Sequence, residues 1–174
     1  MCLLKNKMED KRVYTVGIIT ASDKGSKGER EDVSGAVMQE ILKENGYDVK
    51  EYRIIADEQA LLEEAMKEMA DEKKVNLILT TGGTGFSMRD RTPEATLAVC
   101  DRLAPGIPEA MRAYSMQITN RAMLSRAVAG IRNQTLIINM PGSPKAVKES
   151  LECILDALSH GLAILAGDTG ECAR

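Results

Sequence analysis

Three nearly unbroken apolar, β-branched runs constrain this chain most: Val13–Thr20 (VYTVGIIT), Val75–Thr81 (VNLILTT) and Thr135–Asn139 (TLIIN). A strand with one wet face alternates apolar and polar residues, whereas a run without alternation needs cover on both faces. Val49–Ala56 fits a further strand. Between the runs lie helical stripes: Val33, Ala36, Val37, Ile41 and Leu42, stopped at Gly46; then Leu61, Leu62, Ala65, Met66, Met69 and Ala70. A last stripe runs Val147, Leu151, Ile154, Leu155, Leu158, Leu162 and Leu165. Strands alternating with helices predict an α/β fold, a mostly parallel sheet between two helical layers. Arg126–Arg132 and Thr135–Asn139 flank Asn133-Gln134, and so short a connection predicts a hairpin with one antiparallel strand. Thr92-Pro93 reads as an N-cap and first helical residue, with the helix reaching about Leu103. Pro105 and Pro108 are expected to break the chain before a short helix over Glu109–Met116.

At 174 residues the expectation is a single domain over 1–174, with flexible tails at 1–11 and 168–174. Four Tyr, one Phe and no Trp disfavour modules that stack bases on aromatic rings. The formal charge of −3 offers no basic face for nucleic acid. Cys2-Leu3-Leu4 is far short of a signal-peptide core, and no window approaches a membrane span, so a cytoplasmic protein without membrane contact is expected. Cys2, Cys100, Cys153 and Cys172 form no CxxC pair and His160 is the lone histidine, which points to reduced thiols and away from zinc.

In open α/β sheets, ligands sit beyond the carboxyl ends of the strands. The loops expected there are long. Ala21-Ser22-Asp23 opens the first, Asp57-Glu58 the second, and Pro141-Gly142-Ser143-Pro144 follows the last strand. After the third strand comes Thr81-Gly82-Gly83-Thr84-Gly85, then Ser87, Arg89, Asp90 and Arg91. Glycines leave backbone N–H groups bare, and successive bare N–H groups near a helix start form an anion nest; a plain turn fits the same residues. No GxxxxGK[ST] or GxGxxG pattern occurs, which disfavours a P-loop kinase or a dinucleotide dehydrogenase. Asp57, Asp90 and Asp23 come from separate loops. Converging, they suit Mg²⁺ held with nucleotide phosphates, although Asp57 also suits a helix cap. Arg89 and Arg91 can face phosphates or Asp90, and the Pro141–Pro144 turn can wall a pocket or only reverse the chain.

The strings ASDKGSKGEREDVSG, IADEQ, TTGGTGFSMRDRTPEAT and INMPGSPKAV, in this order across residues 12–165, resemble the MogA/gephyrin G-domain family. The resemblance implies a three-layer MoaB/Mog-like fold and a homotrimer. It implies transfer of AMP from Mg-ATP to the molybdopterin phosphate with release of pyrophosphate, in molybdenum cofactor biosynthesis. A MoeA-type molybdenum insertase is the implied partner. Asp57 and Asp90 match the family's functional aspartates, which also gives them the Mg²⁺. Thr81, Gly82, Gly83, Thr84 and Gly85 match its nucleotide loop, with Arg89 beside it. Ser22 and Asp23 match the loop near the pterin nucleotide, and Pro141, Gly142 and Ser143 the pocket wall. A MoaB-like subgroup shares these loops, and some members bind the pterin as a scaffold without adenylyl transfer. Two positions depart from the pattern: Arg91 stands where Val is common, and Met88 where the residue is often small.

Overall fold

A computed structural model describes residues 12–167; the expected tails, with Cys2 and Cys172, lie outside the described residues. In chain order the elements are β1 (Thr15–Ala21), α1 (Asp23–Ser26), α2 (Val33–Glu44), β2 (Asp48–Ile55), α3 (Gln59–Lys67), β3 (Leu77–Thr81) and α4 (Thr92–Val99). There follow β4 (Arg102–Leu103), α5 (Gly106–Met116), β5 (Ala129–Arg132), β6 (Thr135–Met140) and α6 (Pro144–Leu165). The sheet runs β2-β1-β3-β6-β5-β4. β2, β1, β3 and β6 are mutually parallel, and β5 is the one reversed strand, pairing antiparallel with β6 and β4. The hairpin turns on Asn133, which takes φ 51°, a conformation Asn tolerates.

The unalternating runs are covered on both faces, as their composition requires. Val16, Ile18, Leu77, Leu79, Leu136 and Ile138 face one core with Met38 and Leu42 of α2 and Leu151, Ile154 and Leu158 of α6. Ile19, Ile78 and Ile137 face the other with Leu62 and Met66 of α3 and Ala95 and Val99 of α4. Each such buried side chain contributes roughly 1.5–3 kcal/mol of transfer free energy. Between β3, β6 and α4, the Asn139 amide donates to Thr80 Oγ1 (3.0 Å) and Thr96 Oγ1 (2.8 Å), all fully buried. That satisfied trio fixes α4, and with it the end of the glycine loop.

Four local expectations are corrected. α2 turns Ser34, Gly35, Met38 and Leu42 inward and leaves Val33 and Ala36 exposed, because Gly35 lets the helix settle against Tyr52. α4 ends at Val99, not near Leu103. There the Asp101 and Ala104 N–H groups donate to Ile131 and Ala129 carbonyls (2.8 and 2.9 Å), making 102–103 an edge strand. Pro105 and Pro108 do not break a helix but start one: Pro105 caps α5 and Pro108 lies in its first turn, where a missing N–H costs nothing. β5 begins at Ala129 rather than Arg126. Cys100 and Cys153 are free; burial pushes the Cys100 thiol up to about 11, so it stays an inert thiol. Among the described residues no helix is long and apolar enough to cross a membrane.

Candidate active site

β1 feeds α2 on one face of the sheet, while its neighbour β3 feeds α4 on the other. Their carboxyl ends therefore splay apart, the place where α/β sheets bind ligands. Gly82 and Gly83 leave β3 with φ of 88° and 64°. A Cβ on Gly82 would collide with the Ala21 carbonyl, and one on Gly83 with Thr92 Oγ1. Both glycines are thus demanded by backbone shape and by close approach. Thr92 Oγ1 donates to the Gly82 carbonyl (3.0 Å) and the Thr92 N–H to the Gly83 carbonyl (3.2 Å), so Thr92 ties the loop instead of capping α4.

Asp23 and Asp57 lock the first two strand ends together. The Asp23 N–H donates to Asp57 Oδ2 (2.9 Å), and the Asp57 N–H to Asp23 Oδ1 (3.0 Å). Arg89 grips Asp23 with Nε and Nη2 (3.0 and 2.9 Å) and reaches Glu58 with Nη1 (2.8 Å). These contacts hold the Asp23 carboxyl below its ordinary range, the Arg89 hydrogen bonds first among the causes. Asp57 goes the other way. Desolvation raises it most, and the charges of Asp23 and Asp90 add to the rise. Asp57 Oδ1 lies 3.4 Å from the point where a Gly83 Cβ would stand, and Asp90 Oδ2 2.9 Å from that of Gly85. The two carboxylates therefore flank the glycine loop. Asp90 Oδ2 also accepts the Ser87 N–H (2.9 Å).

The Pro141–Pro144 turn closes over the same edge. Thr81 Oγ1 donates to the Pro141 carbonyl (2.7 Å) and Ser34 Oγ to the Gly142 carbonyl (2.8 Å). Ser22 and Ser143 spend their hydroxyls as N-caps, accepting from the Gly25 and Ala146 N–H groups (3.0 and 3.2 Å). Two cavities open on either side of this turn. One of about 320 Å³ is lined by Ser22, Arg30, Asp32, Ser34, Gly82 and Gly142 among others. The second, about 290 Å³, includes Thr84, Gly85, Met111, Arg112, Ser125 and Pro141.

All the residues expected at the site thus stand on one edge of the sheet. Arg91 is exposed at the start of α4, and Met88 is 89% exposed at the loop tip. Two further residues belong to the site without having been legible. Asp32 caps α2 and accepts from Thr20 Oγ1 and the Tyr52 hydroxyl, both at 2.5 Å; burial first, then this bond, raises the Tyr52 phenol. Arg126 donates to the Gly85 and Asp90 carbonyls (2.7 Å each) and pairs with Glu94. The TPE string places Glu94 third in α4, but nothing in the sequence near Arg126 points to it.

The residue pattern of the family described as "Probable molybdopterin binding domain" matches residues 17–160. The chain belongs to this family. Within it, the chain is 45% identical over 155 residues to a molybdopterin adenylyltransferase of Helicobacter pylori, covering 88% of each protein. It is 45% identical over 154 residues to the molybdopterin adenylyltransferase of Escherichia coli, covering 84% of this chain and 78% of that one. The crystal structure of the molybdopterin biosynthesis enzyme MoaB from Thermus thermophilus superposes with a TM-score of 0.85 at 45% identity, covering 89% of this chain and 98% of the other. The MoaB/Mog-like three-layer expectation is borne out.

Proposed function

We propose that this protein is a molybdopterin adenylyltransferase of molybdenum cofactor biosynthesis. One observation carries the reading: Asp57 and Asp90 flank a bare glycine loop at the sheet's switch point, in a chain 45% identical to enzymes of that name. In the reaction an oxygen of the molybdopterin phosphate forms a bond to the α-phosphorus of ATP. The bond to the β-phosphate breaks, and its electron pair leaves with pyrophosphate. The attacking oxygen is already anionic, so the step needs positioning and charge neutralisation rather than a base. That agrees with a site lacking histidine, since His160 is exposed on α6. The N–H groups of Gly82–Gly85 receive phosphate oxygens, and Arg89, with Asp23 as its resting partner, offers a guanidinium to the same charge. Two cavities of similar size flank the turn, which suits a reaction holding two heterocyclic substrates at once.

Asp57 and Asp90 fit Mg²⁺: both are hard oxygen donors, and one carboxylate oxygen of Asp57 is left over from its latch with Asp23. The bound ion supplies positive charge to the phosphates. A homotrimer in the cytoplasm belongs to the reading, supported by the exposed apolar Tyr114, Met116, Ile118, Met123 and Leu124 along α5 and the turn after it. So does delivery of the adenylylated pterin to a MoeA-type insertase. Pyrophosphate release from ATP, measured with and without molybdopterin, is the deciding assay. Release that depends on the pterin is expected. Tight pterin binding with no turnover would replace the enzyme by a MoaB-like scaffold.

A further inference from the structure

An N–H cradle has a geometric counterpart: when backbone N–H groups face a ligand, the carbonyls between them face away and need donors of their own. In the loop from Gly82 to Asp90, Thr92 serves the Gly82 and Gly83 carbonyls, and the donors to Thr84, Gly85 and Asp90 come from one residue 36 positions beyond the loop's end. Arg126 donates its own N–H to the Thr84 carbonyl (2.9 Å), Nε to the Gly85 carbonyl (2.7 Å) and Nη2 to the Asp90 carbonyl (2.7 Å). Its remaining nitrogen pairs with Glu94 in the first turn of α4. The residue is itself held: Arg112 Nη1 donates to the carbonyls on either side of it, Ser125 (3.3 Å) and Ala127 (2.9 Å).

Few other bonds reach the backbone of the segment so gripped. Phe86 and Met88 are 71% and 89% exposed and add no core contact. Between Gly85 and Asp90 the other bonds that involve the backbone are one turn, Asp90 N–H to the Ser87 carbonyl (3.0 Å), and the bonds of Ser87 to the Asp90 carboxylate and the Arg89 N–H; the Arg89 side chain reaches away to Asp23 and Glu58 and leaves the loop carbonyls to Arg126. A charged donor makes a stronger bond to a carbonyl than a neutral one, and a planar fork spans two acceptors that an ammonium cannot hold together.

We propose that Arg126 is the positioning residue of the phosphate loop: it draws the Gly85 and Asp90 carbonyls outward, and so turns the loop N–H groups and the Asp90 carboxylate toward the reacting phosphates. The catalytic half of this statement rests on the adenylyltransferase reading; the ordering of the loop does not. Glu94 balances the guanidinium, but the two carbonyl bonds do the positioning.

The test compares Arg126→Lys and Arg126→Gln with Glu94→Gln in the full chain. Amide hydrogen exchange is read at Ser87, Asp90 and Thr92. Both Arg126 variants are expected to exchange there about tenfold faster or more, with core strands unchanged, while Glu94→Gln stays near wild type. Turnover in Arg126→Lys should fall about a hundredfold, the scale of a misplacement near 1 Å. Adding Arg126→Lys to Asp90→Asn should cost less than about threefold more, because both act at one place. Wild-type exchange at the loop in both Arg126 variants overturns the proposal. So does an equal effect of Glu94→Gln, or full additivity with Asp90→Asn, either of which makes Arg126 a mere structural pair. If the wild type itself releases no pyrophosphate, the adenylyltransferase reading fails, and the exchange data still decide whether Arg126 orders the loop.

Discussion

Gly83 and Gly85 look alike in sequence, but the structure gives them different duties, so replacing each by alanine separates stability from turnover. At Gly83 the backbone sits at φ 64° and a Cβ would collide with Thr92 Oγ1. The left-handed conformation costs an L-residue about 1–2 kcal/mol. Displacing the buried Thr92 hydroxyl from the Gly82 carbonyl removes a bond worth about 1 kcal/mol net. Gly83→Ala should therefore lose about 2–3 kcal/mol, a Tm drop of roughly 4–12 °C for a chain of this size. At Gly85 no positive φ is required, and a Cβ meets only Asp90 Oδ2, at 2.9 Å. An ordinary separation of 3.4 Å needs about 0.5 Å of movement by that carboxylate, away from the Ser87 N–H that holds it. The lost bond costs about 1 kcal/mol, and the stiffer unfolded chain returns a similar amount. Tm should stay within about 4 °C of wild type. Turnover should fall about tenfold to a hundredfold, because the displaced group is one the reaction needs in register. Differential scanning calorimetry and pyrophosphate release on the same preparations read both quantities. A folded Gly85→Ala protein with wild-type turnover refutes the role given to Asp90. An unchanged Tm in Gly83→Ala refutes the conformational argument for the loop.

Other outcomes follow from the same geometry. Asp57→Asn should abolish most turnover while leaving Tm unchanged or higher, since the amide oxygen can still accept the Asp23 N–H and the buried charge is gone; activity and melting on one sample check it. Because burial and neighbouring carboxylates raise Asp57 in the folded state, its ionisation opposes folding. That cost grows as pH climbs from the ordinary carboxylate range through the raised value and is constant above it. The acid limb of kcat/KM in the wild type should accordingly lie above the ordinary value of 3.8 for an aspartate. Replacing Met116 and Ile118 by Glu should convert a trimer to monomers, read by light scattering at micromolar concentration; a wild type that is already monomeric would sink the assembly. Chelation of divalent cations should stop pyrophosphate release, and Mg²⁺ should restore it.

The sheet was legible because its central strands are buried on both faces and so carry no polar alternation, a signal local to each run. The site edge was legible for a related reason: glycines and acids follow directly on those runs, and chain order alone brings them to one end of a parallel sheet. What was missed is what depends on contacts distant in sequence. The inward face of α2 holds Ser34 and Gly35, which look polar or featureless until Tyr52 of the neighbouring strand approaches them. β4 exists only because β5 offers Ile131 and Ala129 carbonyls to an otherwise polar stretch. The Asp23–Asp57 latch joins residues 34 apart through backbone N–H groups, to which no side-chain pattern points. Arg126 resembled the start of a strand, since only the folded loop reveals the carbonyls it serves.

The electrostatics of the edge tie these parts together. On the proposed reading, Asp23, Asp57, Glu58 and Asp90 gather where two phosphorylated substrates would meet, a field that by itself repels both. Two of the guanidiniums in reach are already committed, Arg89 to Asp23 and Glu58, Arg126 to Glu94 and two carbonyls. Burial first, and after it the charges of Asp23 and Asp90, raise the Asp57 carboxyl. Such crowding is a local cost that the doubly covered sheet can bear, and on the proposed reading it would fall once a divalent cation and the substrates arrived together. Phosphate binding without a cation would then be weak, and the carboxylates would act as a gate against lone nucleotides. On this argument Asp57 and Asp90 are kept close for what they admit as much as for what they hold, and the order of the Arg126-braced loop decides how near those charges come.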